Sequence, residues 1–258
     1  MKNLLFIIIA IQINFADIVT IGSCATQIVC ELGDCNRITG TDKQSQIELQ
    51  NPVKNIGYWR SINVETILQT EPKLIIASKS AGPPKSIQLL KSTTHPLFLI
   101  KKAQNWEDLM TNISLIASQL GKDNQGNILI TLLTNRLSKI NTQKFQNLRI
   151  LGVYSPMGQR IFANSKSSPA SFLIEQLGAI NLSEFEGPKI ISKEIALDLN
   201  PDAILMTQRT AKWLENEKFD SINLLLNKPQ FKTLKVQDNA LSEVCLKTLD
   251  SLESLYYD

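Results

Sequence analysis

The hydrophobic and polar positions of this chain follow one pattern twice. Residues 62–78 read INVETILQTEPKLIIAS, and residues 191–207, which lie 129 positions later, read ISKEIALDLNPDAILMT. In each copy a glutamate opens a short amphipathic helix, a proline seven residues later ends it, and a run of aliphatic residues predicts a buried strand. The repeat therefore predicts two similar lobes with a cleft between them, and small ligands usually bind in clefts of this kind.

The rest of the chain alternates apolar strands with helices, which indicates parallel βαβ units. Predicted strands cover residues 17–22, 36–41, 74–77, 97–100, 148–153 and 203–206, and predicted helices cover residues 26–32, 85–91, 106–120, 124–140, 168–177 and 241–255. We predict an α/β chain of two Rossmann-like lobes joined by a rigid helix. The first lobe would cover residues 17–121, the linker helix 122–142 and the second lobe 143–258.

The helix predicted over residues 124–140 places Ile128, Leu132, Leu133 and Leu137 on one apolar stripe. A helical connector resists bending better than extended strands do. The cleft is therefore expected to open by small angles only.

Residues 1–16 have the composition of a secretory signal peptide. Lys2 supplies a positive charge, residues 4–13 form an apolar core, and Ala16 is a small residue at the expected cleavage point. A membrane anchor is the alternative, but the apolar run is shorter than the ~20 residues that a spanning helix needs. The first cysteine, Cys24, lies beyond the apolar run, which argues against a lipoprotein anchor. We expect a soluble protein of the periplasm.

Composition and charge exclude several functions. The 258 residues are 43% hydrophobic and 20% charged, with a net charge of +3 and no basic tract, so no nucleic-acid partner is expected. The chain has no GxGxxG turn, no phosphate loop and no nucleophile beside a base, so we do not expect an enzyme. It also has no CxxC pair and a single histidine, His95, in a predicted loop, so no zinc site is predicted.

Four cysteines are present, at positions 24, 30, 35 and 245. In an oxidising compartment Cys30 and Cys35 could form a local disulfide, and buried free thiols are the alternative. The sequence leaves the pairing of all four open.

Several short segments resemble the haem-binding periplasmic proteins of bacterial haem ABC importers, within the helical-backbone group that also binds siderophores and cobalamin. These segments lie within residues 17 to about 210 and are Ile21-Gly22, Thr26-Gln27-Ile28-Val29, Leu32-Gly33, Gly57-Tyr58-Trp59-Arg60, Glu65 with Pro72, Ala77-Ser78, Ala81-Gly82-Pro83-Pro84 and Phe185-Glu186-Gly187. From about Lys212 onward the chain departs from the pattern, and the strand expected before the last helix looks shortened or missing.

The resemblance implies a monomeric protein that captures haem b in the periplasm and delivers it to a dimeric ABC permease in the inner membrane. A siderophore or cobalamin carrier of the same architecture is the alternative. Relatives that bind a second stacked haem use a histidine in the second lobe. This chain has Tyr154-Ser155-Pro156-Met157 in that region, so a second ligand is not expected.

The resemblance also assigns a site. Tyr58 matches the axial ligand to haem iron, and ferric iron is a hard acid that a phenolate binds. Arg60 lies two residues along the same predicted extended segment and would supply a cation that favours the phenolate. Arg209 follows the second-copy strand and matches an arginine that pairs with a haem propionate. Gly82 and Pro83 are expected to form a wall of the cleft.

Each site assignment has a structural alternative. Tyr58 could be a rim tyrosine with its hydroxyl in water, and Arg209 a solvated surface arginine. Trp59 could face a porphyrin or fill the core.

Glu65 and Glu194 carry a separate hypothesis. In similar proteins the glutamates at these repeat positions lie on the outer tips of the lobes and dock into arginine pockets of the permease. Two matched carboxylates would suit a dimeric partner. The alternative is that both are only favourable charges at helix N-termini.

Overall fold

The predicted strands form two separate parallel arrays, one in each lobe. The computed structural model describes residues 17–140, 142–156, 160–216, 220–227 and 230–257, and the predicted signal peptide over residues 1–16 lies outside them. Within these residues no helix is both long enough and apolar enough to cross a membrane.

The first lobe is a five-stranded parallel sheet with an added hairpin. Its elements are β1 (Ile18–Ile21), α1 (Ser23–Val29), β2 (Ile38–Thr41), β3 (Lys54–Asn55), β4 (Gly57–Tyr58), β5 (Ser61–Ile62), α2 (Val64–Leu68), β6 (Leu74–Ser78), α3 (Pro84–Lys91) and β7 (Leu97–Ile100). The sheet has the order β3-β2-β1-β6-β7, and β4 and β5 pair with each other in an antiparallel hairpin. Strand β1 is buried along its whole length, because helices cover both faces of such a sheet.

Two antiparallel helices, α4 (Trp106–Gln119) and α5 (Asp123–Leu137), connect the lobes. The stripe predicted for α5 is displaced: Ile128 and Leu132 are 60% and 54% exposed, whereas Leu133 is buried. A Cβ atom on Gly126 would lie 2.5 Å from the Cβ atom of Ala117 on α4. Because of this close approach, the face of α5 that contains Gly126 and Leu133 packs toward the core. The prediction that Ile128 and Leu132 share one apolar stripe with Leu133 is therefore wrong.

The second lobe is a mixed sheet. Its elements are β8 (Arg149–Tyr154), β9 (Phe162–Ala163), α6 (Pro169–Gln176), β10 (Ile180–Asn181), β11 (Lys189–Ile190), α7 (Lys193–Leu199), β12 (Ala203–Thr207), α8 (Gln208–Asn216), α9 (Asp220–Leu226), β13 (Lys232–Val236) and α10 (Leu246–Tyr257). The order is β11-β9-β8-β12-β13, and β10 also pairs with β8. Strands β10, β12 and β13 run parallel to their neighbours, whereas β9 and β11 are antiparallel.

The strand expected to be shortened or missing before the last helix is present, so that prediction is wrong. Strand β13 pairs in parallel with β12 from Ala203 opposite Lys232 to Thr207 opposite Val236. It reads Lys-Thr-Leu-Lys-Val, with Leu234 and Val236 buried and the other residues exposed. An edge strand that is half exposed has no continuous aliphatic run, which is why the sequence pattern did not reveal it.

The repeated segments fold as the pattern predicts. Helix α2 leads to β6 in the first lobe, and α7 leads to β12 in the second. Both helices are capped in the same way: the Asn63 side chain accepts a hydrogen bond from the Thr66 N–H, and the Ser192 hydroxyl accepts one from the Ile195 N–H. Each lobe also has its own smaller apolar cluster beside the repeat.

The largest hydrophobic cluster contains residues from both lobes. Ile18 and Ile76 of the first sheet and Ile150 and Leu205 of the second belong to it, and all four are fully buried. Helices α1, α4, α6 and α10 contribute further residues. The lobes are therefore held by a common apolar core as well as by the helical connector.

Residues 238–245, which we call the interlobe segment, follow β13 and contact the first lobe at several positions. Asn239 donates to Glu48 (Nδ2 to Oε1, 2.7 Å) and accepts from Gln44 (Nε2 to Oδ1, 3.0 Å). The buried carboxylate of Glu243 accepts a hydrogen bond from the Cys24 N–H at 3.2 Å. Burial raises the pKa of this carboxyl, opposed in part by the Cys24 N–H and by Lys102.

Two disulfides are present. Cys30 pairs with Cys35 across a Cα–Cα distance of 4.0 Å, which is the local pairing that the sequence allowed. Cys24 of α1 pairs with Cys245 at the end of the interlobe segment, with a Cα–Cα distance of 5.5 Å and a separation of 221 positions. This second bond joins the end of the interlobe segment covalently to the first lobe.

The two disulfides should differ in their effect on stability. Replacing Cys24 and Cys245 together by alanine should lower the free energy of unfolding by about 2–5 kcal/mol, because the bond closes a very long loop of the unfolded chain. The matched control, Cys30→Ala/Cys35→Ala, opens a short loop and should cost less. Guanidinium unfolding of the oxidised proteins measures both, and equal losses would contradict the loop-closure explanation.

Glu243 should make the protein less stable as the pH rises. A raised pKa means that the folded state prefers the neutral Glu243 carboxyl. The stabilisation of the folded state by this carboxyl is fully present below the ordinary glutamate pKa and is lost as the pH rises through the raised pKa. Glu243→Gln is always neutral and should gain stability over the wild type as the pH rises above the ordinary glutamate pKa of about 4. Thermal unfolding across this range checks it. The exposed control Glu184→Gln should show no such trend, and a constant offset for Glu243→Gln would refute the explanation.

Candidate ligand-binding cleft

A cleft of about 510 Å³ lies between the lobes, where the carboxyl ends of strands from both sheets meet. On the first-lobe side Lys102 follows β7. On the second-lobe side Tyr154 ends β8, Arg209 follows β12 and Asp238 follows β13. Ligands in open parallel sheets gather at such ends, and the volume lies within the range of about 300–1,000 Å³ for small-molecule sites.

The β4–β5 hairpin brings Tyr58 to the cleft. Gly57 has a φ of +102°, and a Cβ atom there would lie 2.7 Å from the Ser61 carbonyl oxygen, so the position requires glycine. Tyr58 pairs with Ser61 across the hairpin. Its side chain lines the cleft and the residue is 46% exposed, so Tyr58 is accessible from the cleft.

Gly82 and Pro83 are not among the residues that line the cleft, and their contact with a ligand stays a prediction. Gly82 lies behind the hairpin instead. Its N–H donates to the Trp59 carbonyl at 3.0 Å, and its own carbonyl accepts from the Ile62 N–H at 3.0 Å. The peptide bond between Gly82 and Pro83 is cis. These two hydrogen bonds fix the hairpin, and with it Tyr58, to the first lobe.

Trp59 and Arg60 form the turn of the hairpin, so the expectation of one extended segment from Tyr58 to Arg60 is wrong. Both side chains nevertheless line the cleft. The Arg60 guanidinium carbon lies 4.4 Å from the centre of the Trp59 ring, a cation–π arrangement. The Trp59 ring is also 5.9 Å from the ring of Tyr58. A cation and two aromatic rings are therefore grouped on the first-lobe wall.

Arg209 reaches the cleft from the first turn of α8, and Asp238 holds it there. The Arg209 backbone N–H donates to Asp238 Oδ1 at 2.9 Å, and its Nε donates to Asp238 Oδ2 at 3.0 Å. The arginine side chain is 52% exposed. The guanidinium group of Arg209 is thus paired with Asp238 through Nε, and the rest of the group is accessible.

The second-lobe wall is also aromatic. Trp213 of α8 and Tyr154 both line it, and Tyr154 stacks on Phe162 with ring centres 5.5 Å apart. Burial raises the pKa of Tyr154, so its phenol stays protonated at neutral pH. Ser155 and Pro156 line the cleft beside it, whereas Met157 lies outside the described residues.

The charge of the cleft is mainly positive. Among the described residues that line it, Arg60, Lys102 and Arg209 are cationic and Asp238 is acidic. The sequence predicted Arg60 and Arg209 but missed Lys102 and Asp238. The only signal for these two was their place shortly after a strand, and for Asp238 that strand was not recognised.

Glu65 and Glu194 lie away from the cleft lining. Both are exposed and occupy the first turns of α2 and α7. A hydrogen bond from the Ser192 side chain lowers the pKa of Glu194. These positions are compatible with a docking role and equally with a local effect on the helix N-terminus.

Comparisons with known proteins agree with this architecture. Among curated proteins, the vitamin B12-binding protein of Pectobacterium carotovorum subsp. carotovorum (strain PC1) is 24% identical over 159 residues, which are 60% of this chain and 57% of that protein. The matched segment thus spans less than two thirds of that relative.

Solved structures show the same fold. The periplasmic haem-binding protein RhuT from Roseiflexus sp. RS-1, in apo form, superposes with a TM-score of 0.84 at 21% identity, covering 94% of this chain and 97% of that one. The periplasmic haem-binding protein HutB of Vibrio cholerae superposes with a TM-score of 0.81 at 20% identity, covering 95% and 98%.

The family described as periplasmic binding protein matches residues 18–234, which run from β1 through the first residues of β13. Since the match covers both sheets, the helical connector and nearly the whole cleft, this chain belongs to the periplasmic binding protein family.

Proposed function

We propose that this protein binds haem in the periplasm and delivers it to an ABC permease for haem and iron uptake. The observation that carries the proposal is the composition of the cleft. Among the residues that the structure describes, four aromatic side chains from both lobes line it, together with three cations and one acid. A flat apolar macrocycle with two carboxylates, as in haem b, matches aromatic walls and an excess of positive charge.

Tyr58 is the group that we assign to the iron. Phenolate oxygen is a known haem ligand, and Tyr58 is half exposed at the cleft. Arg60, in the adjacent turn, brings a positive charge to the same wall, and such a charge favours the phenolate. Tyr154 is a poorer candidate because its raised pKa keeps it protonated.

A cobalamin or siderophore carrier is the second candidate. The curated relative named as a vitamin B12-binding protein favours it. The excess of cationic side chains in the cleft favours a ligand with carboxylates instead, and the corrin of cobalamin carries amides. Titration with haemin and with cyanocobalamin in parallel separates the two: haem uptake should shift and sharpen the Soret band, whereas tight binding of cyanocobalamin alone would overturn the haem proposal.

The proposal includes the organisation of the chain. Residues 1–16 act as a cleaved signal peptide, residues 17–121 and 143–258 form the lobes, and residues 122–142 form the linker. The mature protein acts as a monomer. Glu65 and Glu194 dock the loaded protein onto a dimeric permease, since both are exposed in equivalent helices of the two repeats.

Removing the hydroxyl of Tyr58 should abolish iron ligation. Tyr58→Phe keeps the ring and its packing but loses the oxygen, so the phenolate-to-iron charge-transfer band should disappear and haemin affinity should fall by about tenfold or more. Visible spectra and haemin titrations measure both.

Tyr154→Phe is the matched control, because it removes a hydroxyl from the opposite wall of the same cleft. This variant should keep the band. Loss of the band in Tyr154→Phe together with its retention in Tyr58→Phe would move the ligand to the second lobe.

Replacing both docking glutamates should separate delivery from capture. Glu65→Ala/Glu194→Ala should leave the haemin spectrum and affinity unchanged, because neither residue lines the cleft. Transport by a reconstituted permease should fall by about tenfold or more, since truncating one partner of an interfacial charge pair leaves the other unpaired.

Glu31→Ala/Glu184→Ala removes the same charge from exposed positions outside the repeat helices and serves as the control. Equal transport by both double variants would show that Glu65 and Glu194 act only on their own helices.

A further inference from the structure

We propose that Asp238 is a positioning residue for the ligand, which holds Arg209 in a fixed orientation from a segment that is anchored to the opposite lobe. The inference rests on the proposed function, because the group that Arg209 would receive is a carboxylate of the bound ligand. It adds a residue that the sequence did not indicate.

The contact between the two residues restrains Arg209 at two points. Asp238 accepts one hydrogen bond from the Arg209 backbone N–H and another from its Nε. One carboxylate thus binds both the start of the arginine and its guanidinium group, which restricts the long flexible chain between them. Among the described residues, no other hydrogen bond or ion pair involves the terminal amino groups of Arg209. These two amino groups can therefore donate a pair of hydrogen bonds to a carboxylate of the ligand.

Asp238 is itself placed by the first lobe. The next residue, Asn239, is buried and contacts Glu48 and Gln44, and Gln44 also donates to the Ser242 hydroxyl at 3.1 Å. The interlobe segment then ends at Cys245, which is bonded to Cys24. Arg209 lies in the first turn of α8 in the second lobe, so the pair connects a side chain of one lobe to a support held by the other. The cleft arginine is consequently oriented before any ligand arrives, and a side chain that is already ordered loses less entropy on binding.

Asp238 also has an opposite electrostatic effect, which makes the proposal testable. A carboxylate beside Arg209 reduces the attraction of the cleft for an anionic ligand. If Asp238 acted only through its charge, removing it would strengthen binding. If it positions Arg209, removing it weakens the part of the affinity that depends on ligand carboxylates. The two roles therefore predict opposite changes in ligand affinity when Asp238 is removed.

The ligand test compares haemin with haemin dimethyl ester, which lacks the carboxylates. In Asp238→Ala the preference for haemin over the ester should fall by about tenfold, and in Asp238→Asn, which keeps one acceptor oxygen and the shape, it should fall less. In an Arg209→Ala background, Asp238→Ala should have no further effect on this preference. Tighter haemin binding by both single variants, or an equal effect in the Arg209→Ala background, would overturn the proposal.

A second measurement needs no ligand. In the ¹⁵N NMR spectrum of the free protein, the Nε–H signal of Arg209, assigned by its loss in Arg209→Lys, should be protected from exchange. The Nε–H signal should lose this protection in Asp238→Ala. It should lose part of the protection in Asn239→Ala, which removes the hydrogen bonds of Asn239 to the first lobe and changes no residue that lines the cleft. Equal protection in the wild type and Asp238→Ala would refute the positioning role. A wild type that binds no haemin would refute the proposed function instead, and the NMR result would still decide the role of Asp238.

Discussion

The ligand cleft depends on a fixed spacing between the two lobes. Three kinds of interaction set that spacing: the helical connector, an apolar cluster that contains strands and helices of both lobes, and the interlobe segment with its disulfide to α1. Because residues such as Ile76 and Leu205 belong to one cluster, separating the lobes would expose core surface to water. A wide hinge motion that separated the lobes would therefore be costly.

Within this frame the two cleft tyrosines have different environments. Tyr58 is carried by a short hairpin that Gly82 ties to the first lobe, and the residue stays half exposed beside Arg60. Tyr154 ends a buried strand and stacks on Phe162, and burial raises its pKa. The two tyrosines thus differ in exposure: the Tyr58 side chain is accessible from the cleft, whereas Tyr154 is partly buried.

Much of the fold could be predicted from the sequence because it is encoded by local patterns. The repeated glutamate, proline and aliphatic run specify a helix–strand unit through backbone chemistry and periodicity alone, and both units are present as α2–β6 and α7–β12. The same kind of reasoning failed at α5 and at β13. On α5 the contact of Gly126 with Ala117 chose which face is buried, and in β13 the buried side chains of Leu234 and Val236 alternate with exposed Thr233 and Lys235.

By itself, the sequence determined the lobe repeat and the position of Arg209 after a strand, because each of these depends on neighbours only a few residues away. The tertiary structure alone decided that Gly82 supports the hairpin from behind, that Cys24 bonds Cys245, and that Asp238 holds Arg209. These contacts join segments that are up to 221 positions apart. Periodicity reports which way a side chain faces within its own element, and it carries no information about which distant element will lie opposite.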